Sequence, residues 1–364
     1  MSRVAGINLP WWSALAPLLA CSLLFFAGGE ALPAWLLILI TAGLIAAVLV
    51  AVFHAEVVAH QVGEPLGTLV LALCVTVIEV SLIVSLMLSG GENTSALARD
   101  TVFATVMIIC NGVIGLSVMA GALRYRIVRF NTDSVSSALS VLTALTTLTL
   151  VLPKFTTSSP GPTYSLSQLV FAGSMSLLLY GLFVFVQTIR HRDFFLHVGP
   201  SGSTEEEHAP PPGIPSALAS LGLLLLSLVA VVGLAKKLAP SIEQGVAAMG
   251  APAAVVGVAI AMLVLLPETL AALRAAKLNR MQTSINLALG SALATIGLTI
   301  PAVAAASVVF NIPLELGLSS LDIVLLVLTL LVSTITLVIG RATVLQGAVH
   351  LVLFAAFIFL AVVP

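Results

Sequence analysis

The chain has 364 residues, 60 % of them hydrophobic and 8 % charged, with a formal net charge of −1. Soluble domains carry about 25 % charged residues, so this composition excludes a single water-soluble core. The near-zero charge also excludes binding driven by counterion release, and no nucleic acid is expected as a partner.

Apolar runs of about 20 residues, the length that crosses ~30 Å of hydrocarbon, recur between short polar breaks. Sustained period-two alternation is absent. The chain is therefore predicted to be an all-α integral membrane protein surrounded by lipid, and not a barrel. The first run, 11–29, follows a lone Arg3 and continues past Leu19-Ala20-Cys21, so it reads as a retained span and not as a cleaved signal peptide. Ten more follow at about 34–53, 66–89, 101–123, 134–153, 165–188, 215–235, 251–273, 283–309, 317–339 and 343–362, which makes about 11 transmembrane helices. The longest break, 189–214, holds Glu205-Glu206-Glu207 and three consecutive prolines at 210–212. It cannot bury a core and reads as a solvated linker whose glutamates serve solubility.

Lys and Arg set the orientation. With the N-terminus in the cytoplasm, ten of the fourteen fall in inner segments, and only Arg99, Lys154, Lys236 and Lys237 fall outside. This predicts N-in, C-out and a cytoplasmic linker in a bacterial inner membrane. If the first span is an extra, the rest divides into two sets of five. Five is odd, so the second set is inverted relative to the first. The predicted organisation is 1–33 as an extra helix, 34–188 as one five-helix repeat, 189–214 as the linker and 215–364 as the inverted repeat. Span three opens with Gly63-Glu64-Pro65 and carries Glu79, and span eight opens with Gly250-Ala251-Pro252 and carries Glu268. Such repeats commonly meet near the bilayer midplane in secondary transporters.

A carboxylate at the midplane costs roughly 3 kcal/mol, so it tends to face a cavity and serve transport. Glu79 lies in the middle of its span, beside Ile78 and Val80; Glu268 follows Met262–Pro267. Two such acids can share one metal cation or take up protons instead, which is the basis of antiport. Pro267 frees a backbone carbonyl one turn upstream. Thr76, three residues before Glu79, shares its helix face. Asn111, Ser291 and Thr295 offer further oxygens of the kind hard cations prefer. As buried hydroxyls they serve equally well as packing between helices, and Asn286 is assigned to packing. His350 is the only basic side chain well inside any span.

His54, Glu56, His60 and Glu64 cluster before span three. Six residues between the histidines do not suit two zinc ligands on one helix face. The cluster reads either as an interfacial helix end or as a proton-sensing gate at the cytoplasmic mouth. Cys21, Cys74 and Cys110 all lie in apolar runs, which fits neither a disulfide framework nor a metal cluster. No nucleophile elbow, P-loop or H-E-x-x-H is present, and no cofactor is expected.

The stretch from His54 through Gly67, followed by Val77-Ile78-Glu79-Val80-Ser81-Leu82, resembles the ChaA-type cation/proton antiporters of the calcium:cation antiporter superfamily. So do Pro267-Glu268, Asn279 through Ser291, and Gly340 through Ala348. The resemblance implies two inverted five-helix repeats plus a first helix, with Glu79 and Glu268 binding the cation. Many calcium/proton exchangers place Gly-Asn at the fourth and third residues before each key glutamate. Here Val75-Thr76 and Val264-Leu265 stand there, and Ser291 has Met107 as its counterpart in the first repeat. Na⁺ and K⁺ therefore stand beside Ca²⁺ as expected substrates, exchanged for H⁺. The alternatives are an uncoupled cation channel or exchanger, and a membrane enzyme built on the His54–Glu64 cluster.

Overall fold

Hydrocarbon offers the backbone no hydrogen-bond partner, so the apolar runs close their own hydrogen bonds as helices. The computed structural model describes residues 9–26, 33–63, 66–88, 94–195, 213–248 and 250–364. The chain opens with α1 (Trp11–Phe26), α2 (Ala34–Val62) and α3 (Leu66–Met87). Helix α4 (Leu97–Met107) runs through a π segment, Ile108–Val113, into α5 (Ile114–Tyr125). Strand β1 (Val128–Arg129) precedes α6 (Thr132–Thr146), which continues as the π segment Thr147–Val151. Helix α7 (Leu166–Phe185) ends in the π segment Val186–Arg190 and is followed by the short α8 (Arg192–Phe195). The second half contains α9 (Ile214–Ala248), α10 (Ala254–Val264), α11 (Leu266–Lys277) and α12 (Met281–Ala294). After the π segment Thr295–Thr299 come α13 (Ile300–Phe310), α14 (Ser320–Leu337), strand β2 (Arg341–Ala342) and α15 (Val344–Val362).

This is an all-α multi-pass bundle. Among the described residues eight helices are long and apolar enough to cross a membrane, or nine if the bent pair α10–α11 is one span. Residues 11–25 and 72–87 form shorter apolar helices. The 189–214 break begins as ordered helix, since the π segment runs to Arg190 and α8 follows it. The rest of that linker, with Glu205-Glu206-Glu207, lies outside the described residues, as does Glu64.

Two compact units are formed, and each takes residues from both halves of the chain. The first contains α1, α2, α3 and α9. Its helices approach closely at glycine: a Cβ on Gly43 would sit 2.7 Å from Leu23 Cδ1, and one on Gly233 would sit 2.7 Å from Leu24 Cδ2. The leucines of α1 thus seat where small residues leave room, as membrane helices require when lipid tails remove any hydrophobic drive to associate.

The second unit contains α4–α8 and α10–α15, around fully buried Met107, Ile109, Ile114, Leu142, Leu145 and Leu150. Its helix starts are capped by side chains: Asn131 accepts from Asp133 N at 2.8 Å before α6, and Ser319 accepts from Asp322 N at 3.2 Å before α14. The two short strands pair antiparallel, Val128 with Ala342 and Arg129 with Arg341. At that end Arg124 and Tyr125 donate to the carbonyl of Lys277. At a second cluster of loops, Arg99 bonds Asp100 at 2.8 Å and the Gly317 carbonyl at 3.2 Å.

Candidate cation-binding site

In the first unit, Glu79 sits in the second half of α3 and is 2 % exposed, one turn from the fully buried Leu82 and Ile83. Thr76 is buried one turn before it. Both therefore lie on the inward face of α3, as their spacing implies.

In the second unit, Glu268 occupies the first turn of α11, and the span that carries it is broken. Helices α10 and α11 meet at Leu265 with a 53° bend. Pro267 causes the break: it has no N–H for the Leu263 carbonyl and sits where proline is tolerated, at the start of a new helix. Glu268 stands in the first turn of α11, where the helix dipole places positive partial charge. Glu268 is half-buried, and α11 packs against α5 and α12.

The other predicted ligands lie on those neighbours. Asn111 is fully buried in the π segment 108–113. Ser291 is half-buried near the end of α12, and Thr295 is 5 % exposed at the start of the π segment 295–299. Helix α4 packs against this second π segment, and α12 packs against the first. A π turn inserts one residue into a helix and locally shifts its hydrogen bonds; such turns recur at functional sites. The second unit thus brings the elements carrying Glu268, Asn111 and Ser291 into mutual contact, and the π segment carrying Thr295 continues α12 and packs against α4. Among the described residues no three of His, Cys, Asp and Glu converge on one point. A cation here would be held by few carboxylates and several neutral oxygens, which is the donor set of a hard, loosely held ion.

The His54–Glu64 cluster is divided. His54 is fully buried: Nε2 lies 2.9 Å from the Ser13 carbonyl and Nδ1 lies 3.2 Å from Ser220 Oγ. These partners assign the proton to Nε2 and make His54 a strut joining α2 to α1 and α9. Glu56 and His60 are exposed on α2. Asn286 donates to the Phe195 carbonyl at 2.6 Å and accepts from Gln282, which is the packing role expected of it. Thr329 joins the Asn111 neighbourhood without a signal in the sequence; its Oγ1 accepts from Asn111 at 2.9 Å.

A model of the sodium/calcium exchanger protein family matches residues 32–189 and 219–363. The chain belongs to the sodium/calcium exchanger family. It is therefore a secondary transporter and not an enzyme, which removes the membrane-enzyme alternative and agrees with the packing role of His54. A putative ionic transporter of Sinorhizobium fredii, y4hA, is 48 % identical over 365 residues, spanning 100 % of this chain and 99 % of the relative. The sodium-potassium/proton antiporter ChaA of Escherichia coli is 35 % identical over 352 residues, covering 95 % and 94 % of the two chains. Among solved structures, the Ca²⁺/H⁺ antiporter YfkE shares the fold with a TM-score of 0.70 at 17 % identity, covering 97 % of this chain and 99 % of that one. The H⁺/Ca²⁺ exchanger CAX matches with a TM-score of 0.69 at 15 % identity, covering 95 % and 88 %.

Proposed function

We propose that this family member is a cation/proton antiporter of the bacterial inner membrane that exchanges cytoplasmic Na⁺, K⁺ or Ca²⁺ for external protons by alternating access, with Glu79 and Glu268 as the sites that cations and protons share. The observation that carries this reading is that each compact unit holds one of these two acids within a membrane helix, Glu79 buried and Glu268 at the mouth of a broken helix. A carboxylate in low dielectric must be neutralised by a proton or a bound cation. A site that is stable only when filled couples the two fluxes. Thr76 offers a neutral oxygen beside Glu79 in the first unit, and Asn111, Ser291 and Thr295 offer neutral oxygens in the second.

The architecture proposed for this mechanism is eleven spans, with α1 as the extra helix and two inverted five-helix repeats after it. A π segment inside α4–α5 and another inside α12–α13 support that pairing, since those are the spans the proposal sets in correspondence, while the π segments after α6 and α7 have no counterpart in α14 and α15. Monovalent substrates are supported by the identity to a sodium-potassium/proton antiporter and by Val75-Thr76 and Val264-Leu265 in place of Gly-Asn. The gate at the inner mouth, if built on α2, falls to Glu56 and His60, because His54 is engaged in packing.

The test is proton movement in inside-out vesicles holding a respiration-driven ΔpH. A scan from about pH 6.5 to about pH 9 brackets the range in which buried carboxylates exchange protons. Addition of the substrate cation is expected to collapse the gradient with the wild-type protein and to leave it intact with Glu79→Gln or Glu268→Gln. Collapse that survives both substitutions, or no response to Na⁺, K⁺ or Ca²⁺ at any pH in the scan, overturns the proposal.

A further inference from the structure

Asn111 is gripped at both ends of its carboxamide. Its Nδ2 donates to Thr329 Oγ1 of α14 at 2.9 Å, and its Oδ1 lies 3.3 Å from Nδ1 of His350 on α15. Thr329 Oγ1 in turn donates to Met107 Sδ at 3.4 Å. Asn111, Thr329 and His350 are each at most 1 % exposed. The donors and acceptors run in one direction. The amide NH₂ can only donate and is directed at Thr329, so the amide oxygen can only accept, and its bond to His350 calls for the tautomer with the proton on Nδ1; His350 also hydrogen-bonds the backbone of Cys110, the residue next to Asn111.

Glycine makes this reach available. A Cβ on Gly115 would lie 3.0 Å from His350 Cβ, and a Cβ on Gly347 would lie 2.8 Å from Met119 N. With glycine at both places α15 approaches the Asn111 helix closely enough for a short imidazole to meet the carboxamide. Packing alone does not call for this arrangement. A leucine at 350 would fill a similar volume without burying a ring nitrogen in an apolar interior. What a histidine adds is a donor aimed at one end of Asn111. A carboxamide has two ends of nearly equal shape and opposite chemistry, and only the oxygen end can ligate a cation. That oxygen has two lone pairs, of which His350 takes one.

We propose that His350 and Thr329 are positioning residues that lock the Asn111 carboxamide in a single orientation, with the second lone pair of Oδ1 left for the transported cation, and so set cation affinity. This rests on the antiport reading above and adds two residues to its site. It needs no change in the charge of His350.

The test measures KM and Vmax for the responding cation in the same inside-out vesicles. Four variants are compared with wild type: His350→Asn, which places an amide N–H near the position of Nδ1; His350→Leu, which removes the donor; and the pair Thr329→Ser and Thr329→Val. Loss of one directed hydrogen bond is expected to raise KM about tenfold in His350→Leu and Thr329→Val. Vmax should change by less than about threefold, and His350→Asn and Thr329→Ser should return KM to within about threefold of wild type. If His350→Leu does not reach the membrane, the serine and valine pair at Thr329 decides the matter. A wild-type KM in the leucine and valine variants overturns the proposal, as does an equal rise in His350→Asn and His350→Leu. Should the cation response persist in both Glu79→Gln and Glu268→Gln, the antiport reading itself fails. A response abolished by Glu79→Gln but indifferent to positions 329 and 350 sinks the positioning role alone.

Discussion

Two imidazoles are fully buried among the described residues, and their partners give them different work. His54 bonds a main-chain carbonyl on α1 and a serine on α9, so it ties three helices of the first unit together. His350 is aimed at a side chain that can ligate an ion. Hydrogen bonds between membrane helices are worth about 0.6–2 kcal/mol each. His54→Leu is therefore expected to lower the thermal midpoint of the detergent-solubilised protein by several degrees, the equivalent of roughly 1–3 kcal/mol, with cation KM unchanged. A KM that shifts with no loss of stability would return His54 to the gate. The acids at 79 and 268 were legible in the sequence because a charge inside an apolar run has few structural excuses. The role of His54 was not, because its partners lie 41 and 166 residues away in the chain. Local spacing to Glu56 and His60 suggested a cluster that burial divides.

At the scale of an element, the break between α10 and α11 had one signal in the sequence, Pro267, whose missing N–H removes a helical bond, although Pro17 and Pro240 lie inside continuous helices. The π segments were not readable. One extra residue in a helical turn changes neither composition nor hydrophobic period enough to be seen, yet it sets where Asn111 and Thr295 lie. The consequence of the break can be measured. Pro267→Ala restores a donor for the Leu263 carbonyl and lets α10 and α11 run on as one helix, which moves the first turn that presents Glu268. The variant should be at least as stable as wild type, since alanine is the better helix former and can supply the N–H that proline lacks. Its cation-driven proton flux at saturating cation should nevertheless fall at least roughly tenfold, because a small displacement of a reacting group is costly where geometry sets the rate. Full flux in a stable Pro267→Ala protein would show that the break is dispensable.

For the molecule as a whole, sidedness was inferred from the distribution of Lys and Arg alone, and the second unit offers an independent check of its internal consistency. Segments assigned to the inner side meet one another: β1 at 128–129 pairs with β2 at 341–342, and Arg124 and Tyr125 bond the carbonyl of Lys277. Segments assigned to the outer side also meet: Arg99 bonds the carbonyl of Gly317, and Gly317 N donates to the carbonyl of Pro162 at 2.9 Å. What the fold leaves open is which end faces the cytoplasm, and the excess of positive charge at the β1–β2 end argues that this end does. Single cysteines decide it. In a background with Cys21, Cys74 and Cys110 replaced, Arg341→Cys should react with a membrane-impermeant maleimide in inside-out vesicles and resist it in intact spheroplasts. Ser158→Cys, in the loop that contains Pro162, should show the reverse. Both positions are exposed, so failure to label reports sidedness and not burial. The opposite pattern would turn the protein over in the membrane. The direction assigned to cation export would then have to be reversed, while the site, the broken helix and the grip on Asn111 would stand as they are.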